Sequence, residues 1–360
     1  MSAGAKPASP EPLRVEPIAS LDALRDEWSA LAEASGNLFS TWEWASTWWR
    51  HRGHSRPLLL HACRDAGGRL AAILPIYLAS ARPVRVGRFL GHGPADELGP
   101  VCAPGDRRAA ARAIAEAAAR ARLGLLFAEL LPGRHRWSAE LGGKVVRREA
   151  SPTLSLDGWE PYLAGRSANF RQQVRGRERR LARDHALAFR LADDPSRLDD
   201  DLGLLFRLHA ARWGDESPFL RWREFHAEFA RLALERGWLR LWFLELDGRP
   251  AAAWYGFRFG RVESYYQAGR DLARGDASVG FVLLAHTIRE AASDGMREYR
   301  FLRGGEPYKS RFADADPGLE TVVVTRSVHG RLAEAAAAGA LRSDRARSLL
   351  GRLAARASRR

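Results

Sequence analysis

Cysteine is almost absent from this chain. Cys63 and Cys102 are the only two in 360 residues, and their spacing is not that of a CxxC pair. Such a sequence excludes a disulfide framework and gives no sign of a zinc site. We therefore expect a cytoplasmic protein, from a reducing compartment, that needs no metal.

Long apolar segments and common catalytic motifs are missing as well. No uncharged apolar run is long enough to cross a bilayer, and residues 1–12 lack the apolar core of a signal peptide. The sequence has no GxSxG elbow, HExxH motif or Walker A loop, and no GxGxxG between a strand and a helix. These absences count against serine hydrolases, zinc proteases, P-loop enzymes and dinucleotide-binding folds. We expect residues 1–12 to be a flexible N-terminus.

Lysine is the third scarcity. The 57 Lys and Arg residues include only Lys6, Lys144 and Lys309. Where Arg supplies nearly all of the positive charge, a remaining Lys suggests a requirement for a compact ammonium group. Lys309 is therefore a candidate functional residue.

Positive charge is abundant but unevenly distributed. The formal net charge is +14, and the excess is concentrated in residues 166–185 and 331–360. An excess confined to two segments indicates local anion contacts rather than a general polyanion-binding surface. We expect residues 331–360 to form a basic helical tail that contacts an anionic membrane or nucleic acid.

Hydrophobic patterning indicates two α/β modules, each with a mixed sheet. In each half the pattern predicts helices, a β-hairpin, another helix and a strand in the same order. Gly68-Arg69-Leu70-Ala71-Ala72 is echoed by Gly248-Arg249-Pro250-Ala251-Ala252, which is a weak internal repeat. We predict an N-terminal module over residues 13–150 and a C-terminal module, which performs the chemistry, over residues 151–330.

The C-terminal module contains the most informative segments. The pattern predicts a three-strand meander over 239–246, 251–259 and 261–268. A helix near 278–293 and a strand at 298–302 follow. We expect an irregular loop over residues 303–308, and a final strand at 321–327 that completes this module.

Three segments, in this order, carry a family resemblance. They are Asn37-Leu38-Phe39-Ser40-Thr41-Trp42-Glu43-Trp44 with Trp48-Trp49-Arg50, then Asn169-Phe170-Arg171, then Phe301-Leu302-Arg303-Gly304-Gly305-Glu306-Pro307-Tyr308-Lys309-Ser310-Arg311-Phe312. With them the chain resembles the GNAT acyltransferase superfamily, in its CelD/BioF2-like branch, which is related to the FemAB peptidyltransferases. The resemblance spans residues 37–325 and implies tandem GNAT-like modules, each a mixed, splayed sheet flanked by helices.

The resemblance implies an acyl-CoA donor, acetyl-CoA first, and no permanently bound cofactor. In GNAT folds two neighbouring parallel strands splay apart to bind the pantetheine arm, and the next helix directs its N-terminus at the pyrophosphate. The splayed strand is then residues 261–268. The donor-binding residues implied are Gln267, Arg270, Ser278, Val279 and Gly280. The usual Arg/Gln-x-x-Gly-x-Gly/Ala signature is degraded to Gly275-Asp276-Ala277-Ser278-Val279-Gly280, so a simple turn and helix cap is the alternative.

The catalytic candidates implied are Tyr308, Lys309 and Glu306. In GNAT enzymes a tyrosine after this strand commonly protonates the departing thiolate, which assigns that role to Tyr308. Lys309 would neutralise the charge that develops in the transition state, and Glu306 is the candidate base. Arg300 and Gly305 stand where family members often have Asp. The alternative is that Tyr308 packs against a helix and Lys309 is only solvated.

The expected substrate-binding residues are distributed over three segments. Strand alternation directs Tyr265 and Gln267 to one face and Tyr266 to the other, and core packing is an alternative for at least one tyrosine. A helical face of the Arg-rich segment would present Arg171 and Arg175, either to substrate or to solvent. We add Arg303 at the start of the loop. The Trp-rich segment around Trp48 is expected to pack in a core or between modules, and a platform for a sugar is the alternative.

The expected function is transfer of an acyl group from an acyl-CoA to an amine or hydroxyl. The acceptor would be a small molecule or an envelope polysaccharide precursor. Two alternatives remain open. One is a FemAB-like transferase that uses aminoacyl-tRNA, and the other is a non-catalytic GNAT scaffold in polysaccharide synthesis.

Overall fold

A computed structural model describes residues 12–272 and 278–325. Clustering of contacts divides the chain into two units, and their described residues are 12–35, 39–149 and 318–325 for the first and 36–38, 150–272 and 278–317 for the second. The expected N-terminus, the basic tail and residues 273–277 of the expected phosphate loop lie outside the described residues, apart from Pro12.

The first unit is a mixed sheet with helices. Its elements are β1 (Arg14–Ile18), α1 (Arg25–Ser35), α2 (Trp42–Arg52), β2 (Leu58–Arg64), β3 (Leu70–Ser80), β4 (Val86–Phe89), β5 (Val101–Cys102), α3 (Arg107–Arg120), β6 (Leu125–Pro132), α4 (Trp137–Leu141), β7 (Lys144–Glu149) and β14 (Leu319–Thr325). The sheet order is β1-β2-β3-β4-β6-β14-β7, and β5 pairs with β3. All pairs are antiparallel except β4 with β6.

The second unit has its own mixed sheet. Its elements are β8 (Thr153–Ser155), α5 (Trp159–Ala164), α6 (Ala168–Asp184), β9 (Leu187–Leu191), α7 (Leu198–Trp213), α8 (Arg223–Glu235), β10 (Leu239–Leu246), β11 (Arg249–Phe259), β12 (Val262–Arg270), α9 (Ser278–Ser293), β13 (Glu298–Arg300) and α10 (Pro307–Phe312). The sheet order is β8-β13-β12-β11-β10-β9, and only β12 and β13 are parallel.

The two sheets repeat one topology. Strand, two helices, three antiparallel strands, helix and parallel strand follow one another as β1 to β6 and again as β9 to β13, with β5 as an addition. The two hairpin turns contain Gly68 (φ +85°) and Gly248 (φ +71°), a left-handed conformation that suits glycine. Both hairpins also have a register shift beside the turn. The tandem organisation expected from the weak sequence repeat is confirmed.

The core of the second unit lies between its sheet and helices α6 and α9. Phe170, Val174 and Leu181 form one buried stripe of α6, with the helical spacing of four and seven residues, and Ser167 caps its N-terminus by accepting from the Phe170 N–H at 3.2 Å. Helix α9 is apolar on most of its surface because it packs against β10, β11 and β12. Trp254 of β11 is among the largest side chains buried here.

Two expectations are wrong in detail. The final strand, β14, does not complete the second sheet but lies between β6 and β7 of the first, where Val322 and Val323 are buried. Tyr308 and Lys309 do not lie in an irregular loop. They belong to helix α10, which Pro307 begins with its preset φ.

None of the described helices is long and apolar enough to span a bilayer.

Close packing of α7 on β12 gives a stability prediction. A Cβ added at Gly269 would lie 2.3 Å from the backbone N of His209 and 2.4 Å from the backbone C of Leu208. We expect Gly269→Ala to lower the free energy of unfolding by about 1–3 kcal/mol, because the helix backbone must move away. Gly176→Ala is the control, since its Cβ meets nothing within 4 Å and helix propensity should raise stability by roughly 0.5–1 kcal/mol. Urea unfolding that gave equal stability for Gly269→Ala and wild type would contradict this packing.

Candidate active site

The parallel pairing of β12 with β13 is short. Only Val262, Glu263 and Ser264 pair with residues of β13, whereas β12 continues for six more residues, as far as Arg270, paired on its other side to β11. This is the splay that the resemblance implied. Among the described residues, backbone groups on the open side of β12 therefore have no strand partner beyond Ser264.

A cleft of about 220 Å³ lies at this splay. Strands β11 and β12, helix α9 and helix α10 provide most of its wall, and α6 and α7 contribute one arginine each. The lining residues are Arg177, Arg212, Ala253, Trp254, Tyr265, Ala268, Gly269, Arg270, Gly280, Phe281, Leu283, Leu284, Tyr308, Arg311 and Phe312. The wall thus combines apolar surface, two phenols and four guanidinium groups.

Tyr308 and Tyr265 form a hydroxyl pair in the cleft. The Tyr308 hydroxyl donates to the Tyr265 hydroxyl at 3.1 Å. Burial raises the pKa of Tyr308 well above its ordinary value, and Tyr265 raises it further. Burial also raises the pKa of Tyr265, against the effects of the hydrogen bond from Tyr308 and of Arg212. Both phenols are therefore protonated at neutral pH.

Lys309 is adjacent in sequence but lies outside the cleft. Its side chain is 6% exposed, and its ammonium group donates to the Arg303 carbonyl at 2.7 Å and lies 3.0 Å from the Glu306 carboxylate. Gly304 has φ +114°, and a Cβ there would lie 2.5 Å from the same carboxylate. Lys309 and Glu306 thus connect α10 to the segment before it. Their roles as charge stabiliser and base stay a prediction, and the structure places neither among the lining residues.

A β-bulge alters the alternation expected on β12. The register with β11 shifts between Tyr255 and Gly256, so Tyr265 pairs with Gly256 and Gln267 with Tyr255. Tyr266 lies on the face opposite to Tyr265, is 9% exposed, and packs against the rings of Phe219 and His226. Gln267 does not line the cleft. Of the three residues expected here, only Tyr265 reaches it.

His209 of α7 binds the open edge of β12. The Asp271 N–H donates to the Ala251 carbonyl, so these two residues form a hydrogen-bonded pair of the antiparallel ladder. Such pairs alternate along a strand, so Gly269 also faces β11, whereas the N–H and C=O of Ala268 point away from it. The Ala268 carbonyl accepts from His209 Nδ1 at 3.1 Å, and His209 Nε2 lies 2.7 Å from the Ser217 hydroxyl. A carbonyl only accepts, so Nδ1 carries the proton and Nε2 accepts from Ser217. Burial lowers the pKa of His209 to about 4, so the ring is neutral at pH 7.

The donor-binding candidates near α9 divide into two groups. Arg270 and Gly280 line the cleft, and a Cβ added at Gly280 would meet no atom of residues 12–272 or 278–325 within 4 Å. Ser278 and Val279 are buried, at 7% and 1% exposure, in the first turn of α9. Their side chains are not part of the lining.

The substrate-binding arginines expected from the sequence lie elsewhere. Arg171 donates to the Ala164 and Arg166 carbonyls at the end of α5, and Arg175 is exposed and lies 3.7 Å from Glu160. Arg303 is exposed, and its side chain is not part of the cleft wall.

The structure brings three unexpected arginines to the cleft, namely Arg177, Arg212 and Arg311. Arg177 is two positions beyond Arg175, on a different face of α6, and only the packing of Phe170 and Val174 identifies that face.

Arg300, where relatives often have Asp, is 6% exposed, donates to the Gly36 carbonyl at 2.8 Å and pairs with Glu298 at 2.9 Å.

The equivalent splay of the first unit is filled by side chains. Strand β4 pairs with β6 through Val86 and Gly87 only. Beyond them Arg88 pairs with Glu129 across the gap, and a Cβ at Gly91 would lie 3.0 Å from Trp44. Trp48 donates to the His92 carbonyl at 2.7 Å. The Trp-rich helix therefore packs in a core, as expected, and occupies the place where the second unit has its cleft.

A family comparison now identifies the second unit. Residues 168–310, which include β9 to β13 and most of the cleft wall, match the family described as an acetyltransferase (GNAT) domain. This unit is a GNAT acyltransferase domain. The matched residues contain the splay between β12 and β13 and the helix that follows β12.

Solved structures resemble most of the chain in fold. The crystal structure of FemX has a TM-score of 0.62 at 12% identity, over 87% of this chain and 97% of that one. The C-terminal domain (DUF2156) of a putative lysylphosphatidylglycerol synthetase from Agrobacterium fabrum has a TM-score of 0.53 at 12% identity, over 87% and 95%. L-PGS from Bacillus licheniformis has a TM-score of 0.52 at 12% identity, over 86% and 92%. At these identities the likeness concerns the fold alone. No curated protein sequence matches the chain.

The contacts of Lys309 lead to a stability prediction. Lys309→Met removes the ammonium group and leaves the Arg303 carbonyl and the Glu306 carboxylate without it, which should cost about 1–3 kcal/mol of the free energy of unfolding. Adding Glu306→Gln to Lys309→Met should recover part of that loss. The exposed Lys144→Met is the control and should change stability by less than about 0.5 kcal/mol. If Lys309→Met had the same free energy of unfolding as wild type in urea, the contacts of Lys309 with Arg303 and Glu306 would not be formed.

His209 generates a pH prediction. Its pKa in the folded protein, about 4, lies below the ordinary value of 6.5, so its contribution to stability is complete above pH 6.5 and is lost as the pH falls toward 4. His209→Gln keeps a donor for Ala268 and an acceptor for Ser217 but takes up no proton. As the pH is lowered below 6.5, the free energy of unfolding of this variant should therefore fall less steeply than that of wild type. The two slopes should differ by up to about 1.4 kcal/mol per pH unit. Identical slopes for wild type, His209→Gln and the exposed control His54→Gln would contradict the assignment.

Proposed function

We propose that this protein transfers an acyl group from an acyl-CoA, with acetyl-CoA as the first candidate, to an amine or hydroxyl of a small molecule or an envelope polysaccharide precursor. One observation supports this more than any other. The cleft opens where β12 continues past its three-residue pairing with β13, and the Tyr308–Tyr265 pair lies in its wall.

The strand edge suits the arm of an acyl-CoA. On the open side of β12, the backbone N–H groups of Ala268 and Arg270 point away from β11. A pantetheine chain contains amide groups that pair with such backbone groups as an added strand does. Since the Ala268 carbonyl already accepts a hydrogen bond from His209 of α7, the donor would pair with the N–H groups of this edge and not with that carbonyl.

Tyr308 is the proposed general acid. The acceptor nitrogen or oxygen attacks the thioester carbonyl, the C–S bond breaks, and the proton that the acceptor loses ends on the CoA thiol. Tyr308 donates its hydroxyl proton to the sulfur and regains one from the acceptor. Because burial keeps Tyr308 protonated, it can serve as a donor throughout the pH range in which the acceptor amine is neutral. Arg212, whose Cζ lies 5.8 Å from the Tyr308 ring centroid, supplies positive charge beside the developing thiolate.

A second candidate function uses an aminoacyl-tRNA as the donor. The observation that favours it is the fold: the likeness to FemX and to the lysylphosphatidylglycerol synthetase domains extends over more than 85% of this chain. Lysylphosphatidylglycerol, which gives the synthetase its name, is a lipid that carries an aminoacyl group. The Arg-lined cleft would then hold the charged end of a nucleic acid instead of a coenzyme.

The main proposal is tested by incubating the protein with acetyl-CoA and each member of a panel of amino sugars and amino acids. Acetyl transfer is measured as the release of the free CoA thiol. Tyr308→Phe keeps the ring and removes the proton, so kcat should fall about a hundredfold while the KM for acetyl-CoA changes less than about threefold. Tyr255→Phe is the matched control, because Tyr255 is fully buried in β11 and does not line the cleft. Normal turnover by Tyr308→Phe would exclude the acid role. If calorimetry showed that the protein binds an aminoacylated tRNA but does not bind acetyl-CoA, the second candidate function would be favoured over the first.

A further inference from the structure

The Tyr265 ring is held rigidly in the cleft wall beside Tyr308. Tyr265 is 6% exposed, and its ring stacks on that of Trp254, with the ring centroids 5.6 Å apart and the planes 20° from parallel. Trp254 is itself 1% exposed, so this stack lies against the core. The two hydroxyl groups, from residues 43 positions apart in the chain, lie 3.1 Å from each other. A proton can pass directly between oxygens at this distance.

The surroundings of the pair make a tyrosinate unfavourable at either position. Burial raises the pKa of both phenols, and the Glu306 carboxylate raises both further, whereas Arg212 lowers them. The Lys309 ammonium lies 6.0 Å from the centroid of the Tyr265 ring, but it is paired with Glu306. A phenol that gave up its proton here and kept the negative charge would therefore be costly.

That cost bears on the acid step of the proposed function. When Tyr308 gives its proton to the sulfur, its oxygen must receive another proton at the same time or remain as a buried tyrosinate. Of the described residues, only Tyr265 forms a hydrogen bond with the Tyr308 hydroxyl. A phenol both donates and accepts, so Tyr265 can pass on its own proton while it receives one. Because Tyr265 lines the cleft, a bound acceptor can reach it.

We propose that Tyr265 is a second catalytic residue, which takes the proton of the acceptor and passes its own proton to Tyr308. As the acceptor nitrogen or oxygen bonds to the thioester carbonyl carbon, its proton moves to the Tyr265 oxygen. The Tyr265 proton moves to the Tyr308 oxygen, and the Tyr308 proton moves to the sulfur as the C–S bond breaks. Both residues end as neutral phenols, and one proton has passed from the acceptor to the CoA thiol.

The relay accounts for two features of the site. Tyr308 donates to Tyr265 in the structure, which is the arrangement that the relay leaves after transfer, and rotation of the two hydroxyl hydrogens restores the starting arrangement. The relay also gives Tyr265 the role of base, for which Glu306 was the expected residue. Glu306 does not line the cleft, whereas Tyr265 does.

The relay rests on the proposed function and is tested by a double-mutant cycle in the thiol-release assay. Tyr265→Phe keeps the ring on Trp254 and removes the hydroxyl, so kcat should fall about a hundredfold while the KM for acetyl-CoA changes less than about threefold. Because both tyrosines serve one relay, the Tyr265→Phe/Tyr308→Phe variant should be at most about threefold slower than either single variant. Tyr255→Phe is the control and should keep the wild-type kcat, since Tyr255 is fully buried and does not line the cleft.

Solvent isotope effects separate a relay from a role of Tyr265 in orienting Tyr308 alone. The kcat is measured in mixtures of light and heavy water. Several protons that move together give a curved dependence of kcat on the deuterium fraction, whereas a single proton gives a straight line. We expect a curve for wild type and a straight line for Tyr265→Phe. A straight line for wild type would overturn the proposal, and this measurement needs no variant to fold.

The remaining outcomes distinguish failure of the relay from failure of the proposed function. Wild-type turnover by Tyr265→Phe, or a loss in the double variant equal to the product of the two single losses, about ten-thousandfold, removes the relay and leaves the proposed function intact. If wild type releases no thiol from acetyl-CoA with any acceptor of the panel, the proposed function fails and the relay fails with it.

Discussion

The early end of the parallel pairing between β12 and β13 is the constraint on which the active site depends. After Arg300 the chain turns toward β8: the Phe301 N–H donates to the Pro152 carbonyl at 2.9 Å, and the Gly304 N–H donates to the Ala150 carbonyl at 3.0 Å. Leu302 adopts φ +54° within this turn. Because β13 is drawn away, the remainder of β12 has an open edge. The cleft occupies that edge, and α10 returns the chain to it with Tyr308 and Arg311.

The two units show how one topology yields both a scaffold and a site. Each has a parallel strand pair that ends after two or three residues. In the first unit, bulky side chains of α2 and an ion pair fill the space that this leaves. In the second unit α7 contributes His209, which takes only one carbonyl of the open edge. The difference lies in the side chains at the splay and not in the backbone plan, and the cleft described above lies in the second unit.

The elements of this fold follow from local patterns, but its site is assembled from distant contacts. The meander and the helix over Ser278–Ser293 lie where hydrophobic periodicity and turn residues predict them. Tyr308 and Arg270 reach the cleft because their positions relative to the splay are fixed by short connections. Arg177 could not be predicted, since neighbouring arginines on α6 differ only in the face they occupy. The bulge that takes Gln267 off the face of Tyr265 likewise depends on pairing with β11, which the sequence of β12 alone does not encode.

Amide hydrogen exchange of the full chain, with and without acetyl-CoA, tests most directly whether the open edge of β12 binds the donor. The N–H groups of Ala268 and Arg270 point away from β11, so their exchange should slow by about tenfold or more when a ligand pairs with them. The Gly269 N–H, which faces β11, serves as the internal reference. We expect protection confined to Ala268, Arg270 and the first turn of α9. Unchanged exchange at both positions with saturating acetyl-CoA, or protection only in the first unit, would contradict donor binding at this edge.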